Sequence, residues 1–248
     1  MMPEEPQSDA PPPAAPAASG AVSRIEPADE ATLSEDLALS LLKDHSLPAE
    51  VVEQIGKNTA VLKSRKVRMA VAAHPSAPGR LVLRLIREFY TFDLARFSLM
   101  PTVAPDLKRV AEELLISRLA SITLGERISL SRRASARVAS ALLLDKEGRV
   151  WQTALENPRL TEAAVVGVLH RPGASAALAD AVAHHPKWSS RHEVRLALLR
   201  SPHTPLARAL EFARQLPAAQ LRDILHHSRL SERTKVYLQK ELESKDGR

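Results

Sequence analysis

Basic side chains are the strongest candidates for a functional role in this sequence. Arginines outnumber lysines 25 to 10, and a guanidinium forms two parallel hydrogen bonds with a phosphate or carboxylate. Arg80, Arg84 and Arg87 are spaced to share one helix face. The predicted basic patch consists of Lys63, Arg65, Lys66, Arg68, Arg80, Arg84, Arg87, Arg127, Arg132, Arg133 and Arg137. These side chains either bind phosphates or are solvated charges on a helical surface, and the sequence leaves both interpretations open.

The nine histidines are candidate metal ligands. His185 and His192 would share a face only if one helix continued between them, and Pro186 interrupts it. His226 and His227 are adjacent, so they point in different directions, and no HExxH spacing occurs. We therefore predict no metal site.

The sequence also lacks the patterns that catalysis usually requires. It contains no cysteine, no GxSxG and no glycine-rich phosphate loop. The paired acids Glu112 and Glu113, or Glu241 and Glu243, lie in amphipathic segments, where a solvated position is the simpler interpretation. We expect neither catalytic residues nor a cofactor, and therefore no enzyme.

The amino-terminal segment, residues 1–31, differs in composition from the rest of the chain. It is rich in proline, alanine and acids, with too few large apolar side chains to offset its ordering entropy, and we expect it to be disordered. Residues 1–36 hold eight acids and one arginine, a net charge of −7, so the remainder of the +6 chain carries about +13. Two parts are expected: an acidic tail, 1–31, and a helical domain, 32–248.

Helical patterns follow almost without interruption from Ser34. Ser34 is a suitable N-cap, because Glu35 and Asp36 then lie in the first turn, where the helix dipole favours acids. Further short helices are expected from residue 48 to residue 244, and alternating strand-like runs are missing. The predicted fold class is all-α.

An internal repeat underlies these helices. Residues 67–115 align without a gap on residues 194–242, with ten identities in 49 positions. Apolar, small and proline positions of the repeat recur near residues 150 and 178. Since the residue before a proline avoids helical geometry, helices should end at His74, Asn157, His185 and Ser201. The next helices should begin at Pro78, Thr161, Ser189 and Pro205.

The repeated segments resemble a known family. VRMAVAAHPSAP (67–78) and VRLALLRSPHTP (194–205) are similar to the VRxAVAxNPxTP consensus of the leucine-rich repeat variant family, a relative of HEAT-like α-solenoids. VWQTALENPRLT (150–161) and LADAVAHHPKWS (178–189) are weaker matches. The resemblance implies an irregular α-solenoid of short stacked helices that serves as an interaction surface. The iron–sulfur cluster of some members cannot form without cysteine.

Aromatic side chains are expected in the core. Phe89, Tyr90, Phe92 and Phe97 surround a helix junction, and Trp151 and Trp188 occupy corresponding places in the weaker repeats. The alternative is that one of them lines a peptide groove.

Two functions are compatible with these features of the sequence. The first is a non-catalytic scaffold that binds a protein or peptide, as solenoids usually do. The alternative is nucleic-acid binding through the basic face, with the acidic tail competing for the same surface. No apolar run is long enough to span a membrane and no signal peptide is evident, so a cytoplasmic protein is expected. The sequence does not specify the oligomeric state.

Overall fold

The structure, a computed structural model, describes residues 33–228 and 230–246. Within them the chain forms sixteen α-helices and one short 3-10 helix, with no strand, which confirms the all-α prediction. The segment predicted to be disordered, residues 1–31, lies outside the described residues. None of the described helices combines the length and apolar composition needed to cross a membrane.

The helices are short, and most have seven to ten residues. The first half contains α1 (Glu35–Leu41), α2 (Ala49–Ile55), a 3-10 helix (Val61–Lys63), α3 (Arg65–Ala73), α4 (Gly79–Arg87), α5 (Thr91–Ser98), α6 (Pro105–Arg118), α7 (Leu124–Arg133) and α8 (Ala136–Leu142). The second half contains α9 (Gly148–Leu155), α10 (Glu162–Leu169), α11 (Ala176–His184), α12 (Pro186–Ser189), α13 (His192–Arg200), α14 (Leu206–Arg214), α15 (Ala218–His227) and α16 (Glu232–Asp246).

Two rows of helices share one apolar core. Helices α7, α9, α11, α13 and α15 pack side by side in one row, and α1, α3 and α5 pack on one another in the same alternating order; α4, α6, α8 and α10 form the other row. Extensive contacts join helices no more than three positions apart in the chain. Contacts between near neighbours are what a stacked, solenoid-like array requires.

Prolines end the helices where the sequence predicted. His74, His185 and Ser201 are the C-caps of α3, α11 and α13, and Asn157 directly follows the C-cap of α9. The N-caps of α4, α10 and α14 are Pro78, Thr161 and Pro205, also as predicted.

The expected helix start at Ser189 is wrong. Ser189 is the last residue of α12, a helix of only four residues that the sequence did not suggest. His185 accounts for it, since its side chain accepts a hydrogen bond from the backbone N–H of Lys187 and Pro186 takes the first helical position. Helix α13 then starts at His192.

Polar side chains link consecutive helix pairs at the proline breaks. Asn157 is 1% exposed, and its Nδ2 donates to the carbonyl oxygens of Ser131 at 2.8 Å and Ala134 at 3.2 Å. Thirty-one residues later (188 − 157), the indole N–H of Trp188 donates to the carbonyl oxygen of Leu155 at 2.9 Å. Helix-terminal carbonyls that have no partner within their own helix are satisfied in this way.

Candidate functional site

Six of the eleven residues of the predicted basic patch are engaged inside the protein. Arg65 forms a two-pronged ion pair with Asp93, with Nε 2.5 Å from Oδ2 and Nη2 2.8 Å from Oδ1, and this pair joins α3 to α5. The hydrogen bond and charge of Asp93 raise the pKa of the Arg65 guanidinium. This arginine therefore acts as a brace between helices.

Three further arginines of the predicted patch bind carboxylates on other elements. Arg127 Nη1 lies 2.9 Å and 3.1 Å from the two carboxylate oxygens of Asp145. The remaining two pairs are Arg80 with Glu53 at 3.0 Å and Arg137 with Glu113 at 2.8 Å. These ion pairs neutralise the three positive charges locally. They therefore argue against a single broad basic surface.

Arg68 and Arg84 also have partners within the protein. Arg84 Nη2 donates to the carbonyl oxygen of Gly56 at 2.7 Å, and Arg68 Nη1 lies 3.5 Å from Glu88 Oε2. Together with Lys63 they line a cavity between the 3-10 helix, α3 and α4. The structure thus brings these three predicted residues together, away from the others.

The side chains of the other members form no hydrogen bond or ion pair with any residue that the structure describes; these members are Lys63, Lys66, Arg87, Arg132 and Arg133. Arg132 and Arg133 lie at the carboxyl end of α7. They face a cation that the sequence analysis did not name, Arg96 on α5, whose side chain is likewise unpaired within the described part of the chain.

These three arginines line a cavity of about 530 Å³ between α5 and α7. Phe92 and Leu99 supply its apolar wall, and no carboxylate is among the lining residues described. We call this cavity, defined by Phe92, Arg96, Leu99, Arg132 and Arg133, the α5 groove. Because unopposed positive charge lies beside exposed apolar surface, the α5 groove is suited to a ligand that is both acidic and apolar.

The structure corrects the expectation that all six of these aromatic side chains lie in the core. Phe89, Phe97, Trp151 and Trp188 are buried, as predicted. Phe92 is 45% exposed and Tyr90 is 63% exposed, so the core assignment of these two is wrong.

The reason lies in the orientation of α5. Leu94 and Phe97 occupy its buried face, whereas Phe92, Arg96 and Leu99, spaced by four and then three residues, share the outer face. That spacing is visible in the sequence and could have identified Arg96.

A second cavity of about 600 Å³ extends the α5 groove towards α3. Arg96 lines both cavities, and Lys66, Met69 and Met100 line the second one together with the Arg65–Asp93 pair. The surface across α3, α5 and α7 therefore alternates cations with apolar side chains.

The histidines of the described residues do not form a metal site. His184 Nδ1 lies 2.9 Å from the carbonyl oxygen of Asp180, and His185 Nε2 lies 3.0 Å from Glu156 Oε1. In the described ranges, 33–228 and 230–246, no three histidine or acidic side chains converge as a metal ion would require. These histidines therefore stabilise helix ends and helix contacts.

Comparisons with known proteins identify no relative of this chain. No family model, curated protein or solved structure matches the chain. The resemblance to the leucine-rich repeat variant family therefore stays a prediction from the repeated motifs.

Proposed function

We propose that this protein is a non-catalytic helical-repeat scaffold that binds another protein through an acidic, apolar peptide segment seated in the α5 groove. The observation that carries the proposal is the half-exposed Phe92 beside three arginines that, among the described residues, have no pairing partner and share their cavity with no carboxylate. The cytoplasmic location and the relation to HEAT-like solenoids expected from the sequence belong to the same proposal.

The chemistry of the α5 groove indicates how such a segment would bind. Burying the exposed faces of Phe92 and Leu99 would remove apolar surface from water, which stabilises a complex by about 25 cal/mol for each Å² buried. Guanidinium groups at the rim would pair with Asp or Glu side chains on either side of an apolar anchor. Aromatic and arginine residues dominate the binding energy of most protein interfaces, so the composition fits this use.

Nucleic-acid binding is the second candidate. Its support is that Lys66, Arg96, Arg132 and Arg133 have no pairing partner in the part of the chain that the structure describes, and line two adjoining cavities. Against it, arginines such as Arg65, Arg80, Arg127 and Arg137 are committed to internal carboxylates. If duplex DNA is the ligand, its affinity must fall steeply with salt, with a log–log slope that reports the phosphates neutralised.

Selection from a display library of random peptides tests the proposed function. We expect the purified full chain to enrich peptides that place acidic residues around a large apolar residue, and the variant Phe92→Ala to lose this enrichment. Enrichment that Phe92→Ala does not change, or a DNA affinity that exceeds that of every selected peptide, would contradict the proposal.

A further inference from the structure

A separate cation-lined cavity of about 500 Å³ lies between the 3-10 helix, α3 and α4. Four of its lining side chains are basic, Lys57, Lys63, Arg68 and Arg84, and the single acidic one is Glu88. Leu62, Leu85 and Thr59 complete the lining. We call this cavity the Arg68 pocket; it shares no residue with the α5 groove.

The Arg68 pocket contains an incompletely used guanidinium. Arg68 Nε is buried and has no hydrogen-bond partner among the residues that the structure describes. Its Nη1 reaches Glu88 Oε2 only at 3.5 Å, at the outer limit of a hydrogen bond. A buried donor without an acceptor is costly, so such a group in a native protein calls for an explanation.

The second copy of the repeat supplies an internal control. Arg195 corresponds to Arg68 at the repeat offset of 127 residues (195 − 68). Its Nε donates to the carbonyl oxygen of Ser189 at 2.6 Å, and its Nη1 donates to Gln215 Oε1 at 2.6 Å. The same arginine is therefore satisfied by the protein in one copy and left with a free donor beside a cavity in the other.

The other cations of the Arg68 pocket retain binding capacity. Arg84 uses one nitrogen for the carbonyl oxygen of Gly56 at 2.7 Å, and Lys57 pairs with Glu53 at 3.2 Å. Lys63 is exposed and unpaired within the described part of the chain. An anion bound here would therefore meet donors on three elements: the 3-10 helix, α3 and α4.

We propose that the Arg68 pocket binds a compact ligand that carries two or more phosphoryl groups. Phosphate oxygens accept parallel hydrogen bonds from guanidinium groups such as those of Arg68 and Arg84. No aromatic side chain is among the described residues that line the cavity, so recognition depends on the phosphoryl charges rather than on stacking with a base. The volume falls within the range of small-ligand sites. This proposal does not depend on the peptide function of the α5 groove.

Calorimetric titration of the full chain with inorganic pyrophosphate tests the Arg68 pocket. We expect one site per chain, with an affinity about tenfold or more above that for inorganic phosphate, equivalent to about 1.4 kcal/mol. Arg68→Met and, separately, Lys63→Met should each weaken pyrophosphate binding, the first by about tenfold or more. Lys63 is exposed, so its variant gives a second test of binding that does not depend on the packing around Arg68.

Two matched controls make the test specific. Arg195→Met is the same substitution at the equivalent position of the second repeat, and Arg132→Gln with Arg133→Gln removes two charges from the α5 groove. Both should leave pyrophosphate affinity unchanged. The proposal is wrong if pyrophosphate does not bind, if the controls weaken binding as much as Lys63→Met and Arg68→Met do, or if several ions bind per chain as diffuse charge screening would produce.

Discussion

Arg195 donates from Nη1 to the side-chain oxygen of Gln215, 2.6 Å away, and so joins α13 to α14. Arg68 and Glu88 occupy the equivalent positions 127 residues earlier (195 − 68 and 215 − 88) and join α3 to α4, with 3.5 Å between their nearest atoms. The repeat in the sequence is therefore also a repeat in the contacts between helices.

The two arginines should contribute differently to stability. Arg195→Met breaks hydrogen bonds to Ser189 and Gln215, and we expect a loss of about 1–2 kcal/mol in the free energy of unfolding. Arg68→Met removes a buried Nε that has no acceptor among the described residues, together with only a 3.5 Å contact to Glu88, so the free energy of unfolding should be unchanged or slightly higher. Urea denaturation measures both variants, and a larger loss for Arg68→Met than for Arg195→Met would contradict the assignment of the free donor.

Asn157 should be one of the polar residues whose substitution most lowers the free energy of unfolding. Asn157→Ala leaves carbonyl oxygens of Ser131 and Ala134 without their side-chain donor, and we expect a loss of about 1–3 kcal/mol. Asn157→Ser keeps an acceptor for the backbone N–H of Arg159 but cannot replace both donors. Thermal unfolding should therefore show that serine restores only a minor part of the loss. Full recovery with serine would show that the turn, rather than the link between helix pairs, determines the stability.

Substitutions of Phe92 and Phe97 should distinguish a residue needed for binding from a residue needed for stability. Phe97 is fully buried, so Phe97→Ala should cost about 3–5 kcal/mol. Phe92→Ala should cost about 1 kcal/mol at most, because nearly half of its surface is already exposed. Chemical denaturation of the two variants provides the comparison. Equal losses would mean that Phe92 belongs to the core.

Local features of the fold were predictable, and contacts between distant helices were not. Proline and capping act within a few residues, so the helix ends at His74 and Ser201 follow from the sequence alone. The pairing of Arg65 with Asp93 joins residues 28 positions apart and depends on how α3 and α5 pack, which composition does not reveal.

The same distinction applies to the candidate site. Arg132 and Arg133 can be named from their type and spacing, but whether a described acidic side chain pairs with them depends on which helix packs beside α7. Arg96 is not among the site residues predicted from the sequence. The chain contains many arginines, and the position of Arg96 on the outer face of α5 is what distinguishes it from the others.

Glu126 should make the start of α7 sensitive to pH. The backbone N–H of Thr123 donates to its Oε2 at 2.9 Å and the Thr123 hydroxyl at 2.8 Å, and these bonds lower the pKa of Glu126. A lowered pKa in the folded state means that the contribution to stability is complete above the usual glutamate range and is lost as the pH falls through the folded-state pKa.

Glu126→Gln removes this titration. Urea unfolding at about pH 7 and about pH 3 should show that the difference in stability between the wild type and Glu126→Gln shrinks in acid. A difference that is the same at both pH values would show that the Glu126 carboxylate does not stabilise the helix start through its charge.

The proposed function requires the three arginines of the α5 groove to recognise an acidic peptide. The most direct measurement is the affinity of a selected acidic, apolar peptide, by fluorescence anisotropy, for the wild type and for two double variants. Arg132→Gln with Arg133→Gln removes two charges from the α5 groove. Arg191→Gln with Arg233→Gln removes two exposed charges from α16 and the start of α13. We predict that the groove variant loses about tenfold or more in affinity and that the control retains wild-type affinity; equal losses in the two variants would contradict the claim.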